Sequence, residues 1–244
     1  NRFRAGSYRW QLITPDGAPA QASNGISLNV DGALRDPGQV QIVFVVAGFQ
    51  PLASFDAALG AWLRAVHRTA TVGAIDTGVF VLAEAGVAGA GPVTLHWEAQ
   101  AAFAERYPAI TETRELFEIG PRCISCAGGT AAIDLMLARI AARHGHALAA
   151  QVSEQFVLGR IRSPSDHQRL EISTRYGVHN RKVIQVIRLM QGHIEDPLTP
   201  DDLARMIDVT RRHLERLFAT HVRDTPIRFY CGLRLEHARM LLHQ

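Results

Sequence analysis

The apolar pattern changes character along the chain. Residues 8–14 (YRWQLIT) and 40–46 (VQIVFVV) read as strands. The second is nearly continuous in apolar residues, as buried parallel strands are. Residues 53–68 predict a helix with Leu59, Trp62, Leu63 and Val66 on one face. A short strand follows over 71–76, then helices over 77–88 and 98–106. Short strands over 115–119 and 122–126 lead to a long helix over 129–144, and a helix over 147–161 closes this part. Strands alternating with helices predict an α/β layered domain with a mainly parallel sheet, and ligands in such domains bind at the carboxyl ends of strands.

Beyond residue 162 the pattern is helical only. Residues 163–180 are polar, with Pro164 and Gly177 as breakers, and read as a linker between a sensor part over 1–162 and a helical part over 181–244. Val183, Val186, Ile187, Met190 and Ile194 form one helical face. Asp196-Pro197 breaks that helix. Thr199 is a good N-cap, Pro200 suits the first helical position, and Asp202 stands where a capping box needs it. Leu203, Met206 and Ile207 make the apolar face of this short helix. Asp208 and Val209 carry the turn, and Thr210 caps the next helix. There Leu214, Leu217 and Phe218 face inward, and Arg211, Arg212, Glu215 and Arg216 fall on the other side. Two capped helices at a tight turn, the second opening on arginines, look like a helix-turn-helix bound for a DNA major groove. Arginine both clamps phosphates and reads guanine edges, and Glu215 is placed either to accept from a cytosine amino group or to orient a neighbouring arginine. Another capped helix starts at Thr225-Pro226, with Phe229, Leu233, Leu235, Ala238 and Leu241 packing or bridging onward.

Charge changes this picture little. The chain of 244 residues carries a net charge of +3. Residues 163–244 hold 13 basic and 10 acidic side chains and residues 1–162 hold 13 of each, so the whole surplus lies in the helical part, the expected direction for DNA binding. Lys182 is the single lysine, and the arginine and alanine bias fits a GC-rich genome as well as a functional choice. No run of 18 apolar residues suggests a membrane span. Cys123 and Cys126 form a C-x-x-C, which admits a redox pair or half a metal site. With no second pair in the chain, the favoured reading is two residues of a buried strand, with no metal and no cofactor expected. Cys231 reads as helix core. This cysteine usage fits a reducing cytoplasm.

Two resemblances sharpen the reading. The residues Leu203, Ala204, Thr210, Arg211, Leu214, Arg216, Phe218, Pro226, Tyr230, Arg234, Leu235, Ala238, Arg239 and Leu241 make a pattern that resembles the first helix-turn-helix of the AraC family of bacterial regulators. The resemblance implies a DNA-binding domain in which Arg212, Glu215 and Arg216 face bases and Thr210 and Arg211 face the backbone. The family continues past the linker helix to a second helix-turn-helix, while this chain stops at Gln244 and opens on Asn1. It is therefore expected to be a fragment cut at both ends, lacking a central strand of its sheet and that second motif.

The first part resembles the PfpI-like branch of the class I glutamine amidotransferase-like fold. The likeness rests on Ala47-Gly48-Phe49, the strand–turn–helix from Gly73 to Gly86, Thr94 with His96-Trp97, the Cys126–Leu137 segment and Val152-Ser153-Glu154. Joined to an AraC-type domain, it looks like a GlxA-type transcriptional regulator. The fold implied is flavodoxin-like, followed by an all-α domain. Enzymatic members carry a cysteine at the sharp turn and a histidine at the position of His96, and Asp76 stands at that turn here. A carboxylate does no thiolate chemistry, so the resemblance argues against a hydrolase and for a pocket reused in sensing. Gly48, Asp76, Thr77, His96 and Trp97 are the candidate ligand contacts. Asp76 also reads as a plain helix cap and His96 as a hydrogen-bonded structural histidine, and these readings stay open beside ligand contact. Regulators of this type often answer to amino acids or quaternary amines, and an amine would pair with Asp76 under an aromatic ring. The expected partners are duplex operator DNA, a small effector and a second copy of the chain. The competing readings are a hydrolase of the same fold and a DNA-binding protein whose α/β part only dimerises.

Overall fold

The computed structural model describes residues 6–35, 38 and 40–242. The chain forms two compact units, residues 1–168 and 169–244. The first opens with four minimal strands, β1 (Ile13–Thr14), β2 (Ala20–Gln21), β3 (Ser27–Leu28) and β4 (Gly32–Ala33). Next come β5 (Ile42–Ala47), α1 (Ala57–Thr69), β6 (Thr71–Asp76), α2 (Gly78–Glu84), β7 (Val93–Thr94), α3 (Gln100–Arg106), β8 (Glu112–Thr113), β9 (Phe117–Ile119) and β10 (Cys123–Cys126). The helices α4 (Ala131–His144) and α5 (His146–Gln155) follow. The main sheet runs β5-β6-β10-β9, with β5, β6 and β10 parallel and β9 antiparallel to β10.

Period-two alternation along β6 and β10 builds a core on each face of this sheet. Val72 and Ala74 turn to one side, where Leu63 and Val66 of α1, Val79 and Leu82 of α2 and Phe103 of α3 close over them. Ile124, Cys126 and Ile75 turn to the other, against Leu135 of α4, Leu116 and Phe117. Asp56 caps α1 by accepting from the Leu59 N–H at 2.7 Å. Gly73 lies under the Phe44 ring so closely that no Cβ fits between them.

Polar bonds fasten the end of this unit. Asp134 is buried, and its carboxylate accepts from the Arg162 backbone N–H at 3.0 Å and from the guanidinium at 2.6 and 2.9 Å. Arg162 also donates to Thr130 Oγ1 at 2.7 Å. The Leu116 N–H donates to the Pro164 carbonyl, and the Gln168 amide donates to Thr94 Oγ1 and to the Leu95 and Glu115 carbonyls. Residues 160–168 thereby strap the helix α4 to the β7 region.

The second unit holds α6 (Ile172–Tyr176), α7 (Arg181–Gly192), α8 (Pro200–Met206), α9 (Arg211–His221) and α10 (Pro226–Leu242). Its core joins Val183, Val186, Ile187 and Met190 of α7 to Leu203 and Ala204 of α8, Leu214 and Phe218 of α9, and Tyr230 and Leu233 of α10. The Tyr230 hydroxyl donates to the His193 carbonyl at 2.6 Å, and Arg234 Nε donates to the Ile194 carbonyl at 3.0 Å, so α10 also fixes the loop before α8. Within the polar stretch 163–180, residues 163–168 belong to the first unit and the five-residue α6 belongs to the second.

Several expectations need correction. The run 8–14 forms a ladder only at Ile13 and Thr14, against Gly32 and Ala33, and Trp10 and Leu12 are exposed. Alternation makes a strand only where a neighbour supplies a ladder. At Leu12 the N–H donates to the Asp31 carboxylate and the carbonyl accepts from the Asp31 N–H, and strand pairing begins at Ile13. The apolar β5 is an edge strand rather than an interior one, with Val46 at 70% exposure. The helix expected over 77–88 ends at Glu84, ahead of the left-handed Gly86 (φ 72°). The helix expected to reach residue 161 ends at Gln155, before Val157 (φ 53°). Met206, Leu235 and Leu241 are exposed, not part of the apolar faces, and Cys231, expected in the helix core, is exposed as well.

Candidate functional site

The helix-turn-helix is built from its caps. Thr199 accepts from the Asp202 N–H, and Asp202 accepts from the Thr199 N–H, completing a capping box with Pro200 at the helix start. That reciprocal bonding lowers the Asp202 pKa below the usual carboxylate range, the Thr199 side chain first among its causes. The chain reverses at Asp208 (φ 53°), and Thr210 caps α9 by accepting from the His213 N–H at 3.3 Å. Leu214 and Phe218 are fully buried, and this fixes which face of α9 is left outside. Arg211, Arg212, Glu215 and Arg216 are all exposed on it. They are not equivalent. Arg211 is held between Glu215 (Nε–Oε1 3.0 Å) and Asp201 of α8 (3.4 Å). Arg212 and Arg216 make no ion pair among the described residues; Arg216 only approaches His213 Nδ1 at 3.4 Å. Thr210 is engaged as a cap. The five residues singled out in the sequence thus share one helix start, with two of its arginines in no ion pair among the described residues.

In the first unit, Gly48, Asp76 and Thr77 meet at the carboxyl ends of β5 and β6. Ala47 pairs with Asp76 in the ladder, and the Thr77 hydroxyl donates to the Gly48 carbonyl. Asp76 has φ 62°, a left-handed conformation that few non-glycine residues adopt. Two glycines make room for this turn. A Cβ on Gly78 would strike the Val45 carbonyl, and one on Gly128 would lie 2.7 Å from the Asp76 side chain. Asp76 is not the helix cap: the N-cap of α2 is Thr77, with no side-chain capping bond. Burial raises the Asp76 pKa, the charges of His96 and a backbone bond at Thr77 oppose the shift, and Glu98 adds to it. His96 is close enough for its charge to act on Asp76, and its ring lies 5.4 Å from that of Trp97. His96 Nδ1 lies 3.6 Å from the Glu98 carboxylate.

Three members of this cluster were not singled out from the sequence. Glu98 stands two residues beyond His96, where the chain has left β7 and spacing alone carries no signal. Gly128 follows β10, and the rule that ligands gather at strand carboxyl ends points there. Gln168 is 72 residues from His96, yet its amide bonds the Leu95 carbonyl next to it at 3.1 Å.

Neither cysteine of β10 offers an activated thiol. Cys123 and Cys126 lie on opposite faces of β10, one against each core. Burial pushes the Cys123 thiol up to about 11 and raises that of Cys126 as well. No group of three or more metal-ligating side chains gathers among the described residues. No helix among them is long and apolar enough to cross a membrane.

Residues 1–142 match the DJ-1/PfpI family. The whole chain is 58% identical over 246 residues to the HTH-type transcriptional regulator CdhR of Pseudomonas aeruginosa, spanning 73% of that protein. It is 33% identical to the HTH-type transcriptional regulator GlxA of Rhizobium meliloti, covering 98% of this chain and 75% of the relative. The chain spans 65% of a further relative, the regulator GbdR of Pseudomonas aeruginosa, at 36% identity. Among solved structures, an AraC family transcriptional regulator from Pseudomonas putida superposes with a TM-score of 0.59, over 64% of this chain and 85% of that one, at 24% identity, a likeness of fold. With its sheet domain and its capped helix-turn-helix, the chain belongs to the DJ-1/PfpI family and, within it, to the GlxA-like HTH-type transcriptional regulators.

Proposed function

We propose that the chain regulates metabolic genes by binding operator DNA through α9 under the control of a small effector held at Asp76. The observation that carries this is the exposed start of α9. A helix whose other face is locked in a core presents Arg212 and Arg216 in no ion pair with a carboxylate among the described residues. That arrangement favours bidentate reading of guanine and clamping of phosphate. Thr210 and Arg211 serve the backbone side, and Glu215 the base side.

The effector reading rests on Gly48, Asp76, Thr77, His96 and Trp97. Asp76 lies within electrostatic reach of Glu98 and His96, and the His96 ring lies 5.4 Å from that of Trp97. Carboxylates with an aromatic ring at hand suit a small cation, and an amine or amino acid is the class proposed. Asp76 occupies the strained turn where an enzyme of this fold needs a thiolate, so the proposed role is sensing without hydrolysis. A second copy of the chain and a cytoplasmic setting complete the proposal.

The test is selection of a preferred duplex from a random library, then anisotropy titration with and without a panel of amino acids and quaternary amines. Selection of one sequence, with affinity changed by one compound, supports the reading. Failure to select any duplex at low salt rules it out.

A further inference from the structure

The turn between α8 and α9 is held from outside by a residue of α7. The seven-residue α8 ends at Met206, and the last carbonyls of a helix have no partners within it. The chain then passes through Asp208 at φ 53°, a conformation that a residue with a Cβ adopts only against a steric cost. Lys182 Nζ donates to the Ile207 carbonyl at 3.3 Å and to the Asp208 carbonyl at 3.2 Å. The root of this lysine is itself fixed. Asn180 accepts from the Lys182 and Val183 N–H groups at 3.1 and 3.2 Å, and Val183 is fully buried in the core shared by α7, α8 and α9. An ammonium offers three donors on a compact point charge and can serve two converging carbonyls, whereas a guanidinium directs its donors in a flat fork. In a chain with 26 basic residues, the single lysine stands at this place.

We infer that Lys182 is a positioning residue for DNA reading. Thr210, the cap of α9, follows Asp208 by two residues, so the setting of the turn sets the direction in which α9 leaves it. By holding both carbonyls, Lys182 fixes the angle at which Arg212 and Arg216 are presented. It acts through the turn and touches no phosphate. The inference rests on α9 being the helix that enters the groove.

The test uses the whole chain, the duplex it selects from a random library and a scrambled duplex of the same composition. Lys182→Met is expected to bind the selected duplex about tenfold more weakly, the size of effect of a lost base contact. The scrambled duplex should bind as before, and the salt slope should not change. Lys182→Met combined with Asp208→Gly is expected to recover most of the lost discrimination, because glycine takes the left-handed turn unaided. In the free protein, the amides of residues 209–212 should exchange faster in Lys182→Met. An unchanged ratio of selected to scrambled affinity overturns the inference. So does equal loss on both duplexes with a salt slope lower by about one, which marks a phosphate contact. If Lys182→Met fails to fold, the double variant decides: folding without recovery of the ratio overturns the inference. If the parent selects no duplex, the DNA reading itself falls. Amide exchange then still decides whether Lys182 holds the turn.

Discussion

The helical unit and the sheet unit reach defined surfaces by opposite routes. In the helical unit the decisive bonds are local. Thr199 bonds Asp202, Thr210 bonds the His213 N–H, and Asn180 bonds two residues just ahead of it. In the sheet unit they span the chain. Asp134 bonds Arg162, Gln168 bonds Thr94 and Leu95, and Gly128 makes room for Asp76. A surface fixed by local bonds can be read from a few neighbouring letters. A site assembled from distant segments cannot.

Breaking the long-range fastening gives the largest expected effect. Arg162→Met leaves the buried Asp134 carboxylate without its partner and should cost about 3–5 kcal/mol of stability in the first unit. Amide exchange should show that loss over 1–168 and leave α7–α10 protected as before; equal loss in both units would contradict their separation. At the other unit's surface, Arg212→Ala should weaken binding to a selected duplex about 10- to 100-fold with thermal unfolding unmoved. An effect under twofold would remove Arg212 from the proposed reading set. Removing a local cap comes next: Thr199→Ala should destabilise the helical unit by about 1 kcal/mol in a denaturant titration, with no change in the sheet unit.

The smallest effect sharpens the comparison at Asp76. Its pKa is raised by burial, so the folded state binds the proton more tightly than the unfolded chain does. As pH rises from the ordinary carboxylate range through the raised folded pKa, stability should therefore fall, and below that window the penalty vanishes. Asp76→Asn tolerates the same left-handed turn and should flatten this slope while abolishing the response to a cationic effector. A steep slope retained in Asp76→Asn would mean that another group titrates there.

The sequence made the helical unit legible almost to the residue. The capping box, the Thr210 cap and the buried Leu214 and Phe218 lie where periodicity and cap chemistry place them. Met206 escaped because a seven-residue helix buries too narrow a stripe for the neighbour of Ile207 to share it. In the sheet unit, β6 was readable because its run is bounded by a turn. Burial of β5 was not readable, since an apolar run does not say on how many sides it is paired. At the candidate effector site, Asp76 and Thr77 were visible through the strand-to-helix turn. Glu98, Gly128 and Gln168 were not, because they arrive there by tertiary folding.

The spacing C-x-x-C means one thing on a helix and another on a strand. On a helix the two thiols would share a face. On β10 they face away from each other, into separate apolar layers, and no disulfide can join them without unravelling the strand. The practical consequence is for assay design. Reductant in the buffer should leave DNA and effector binding unchanged, and a modest excess of a thiol-reactive dye should label the exposed Cys231 alone.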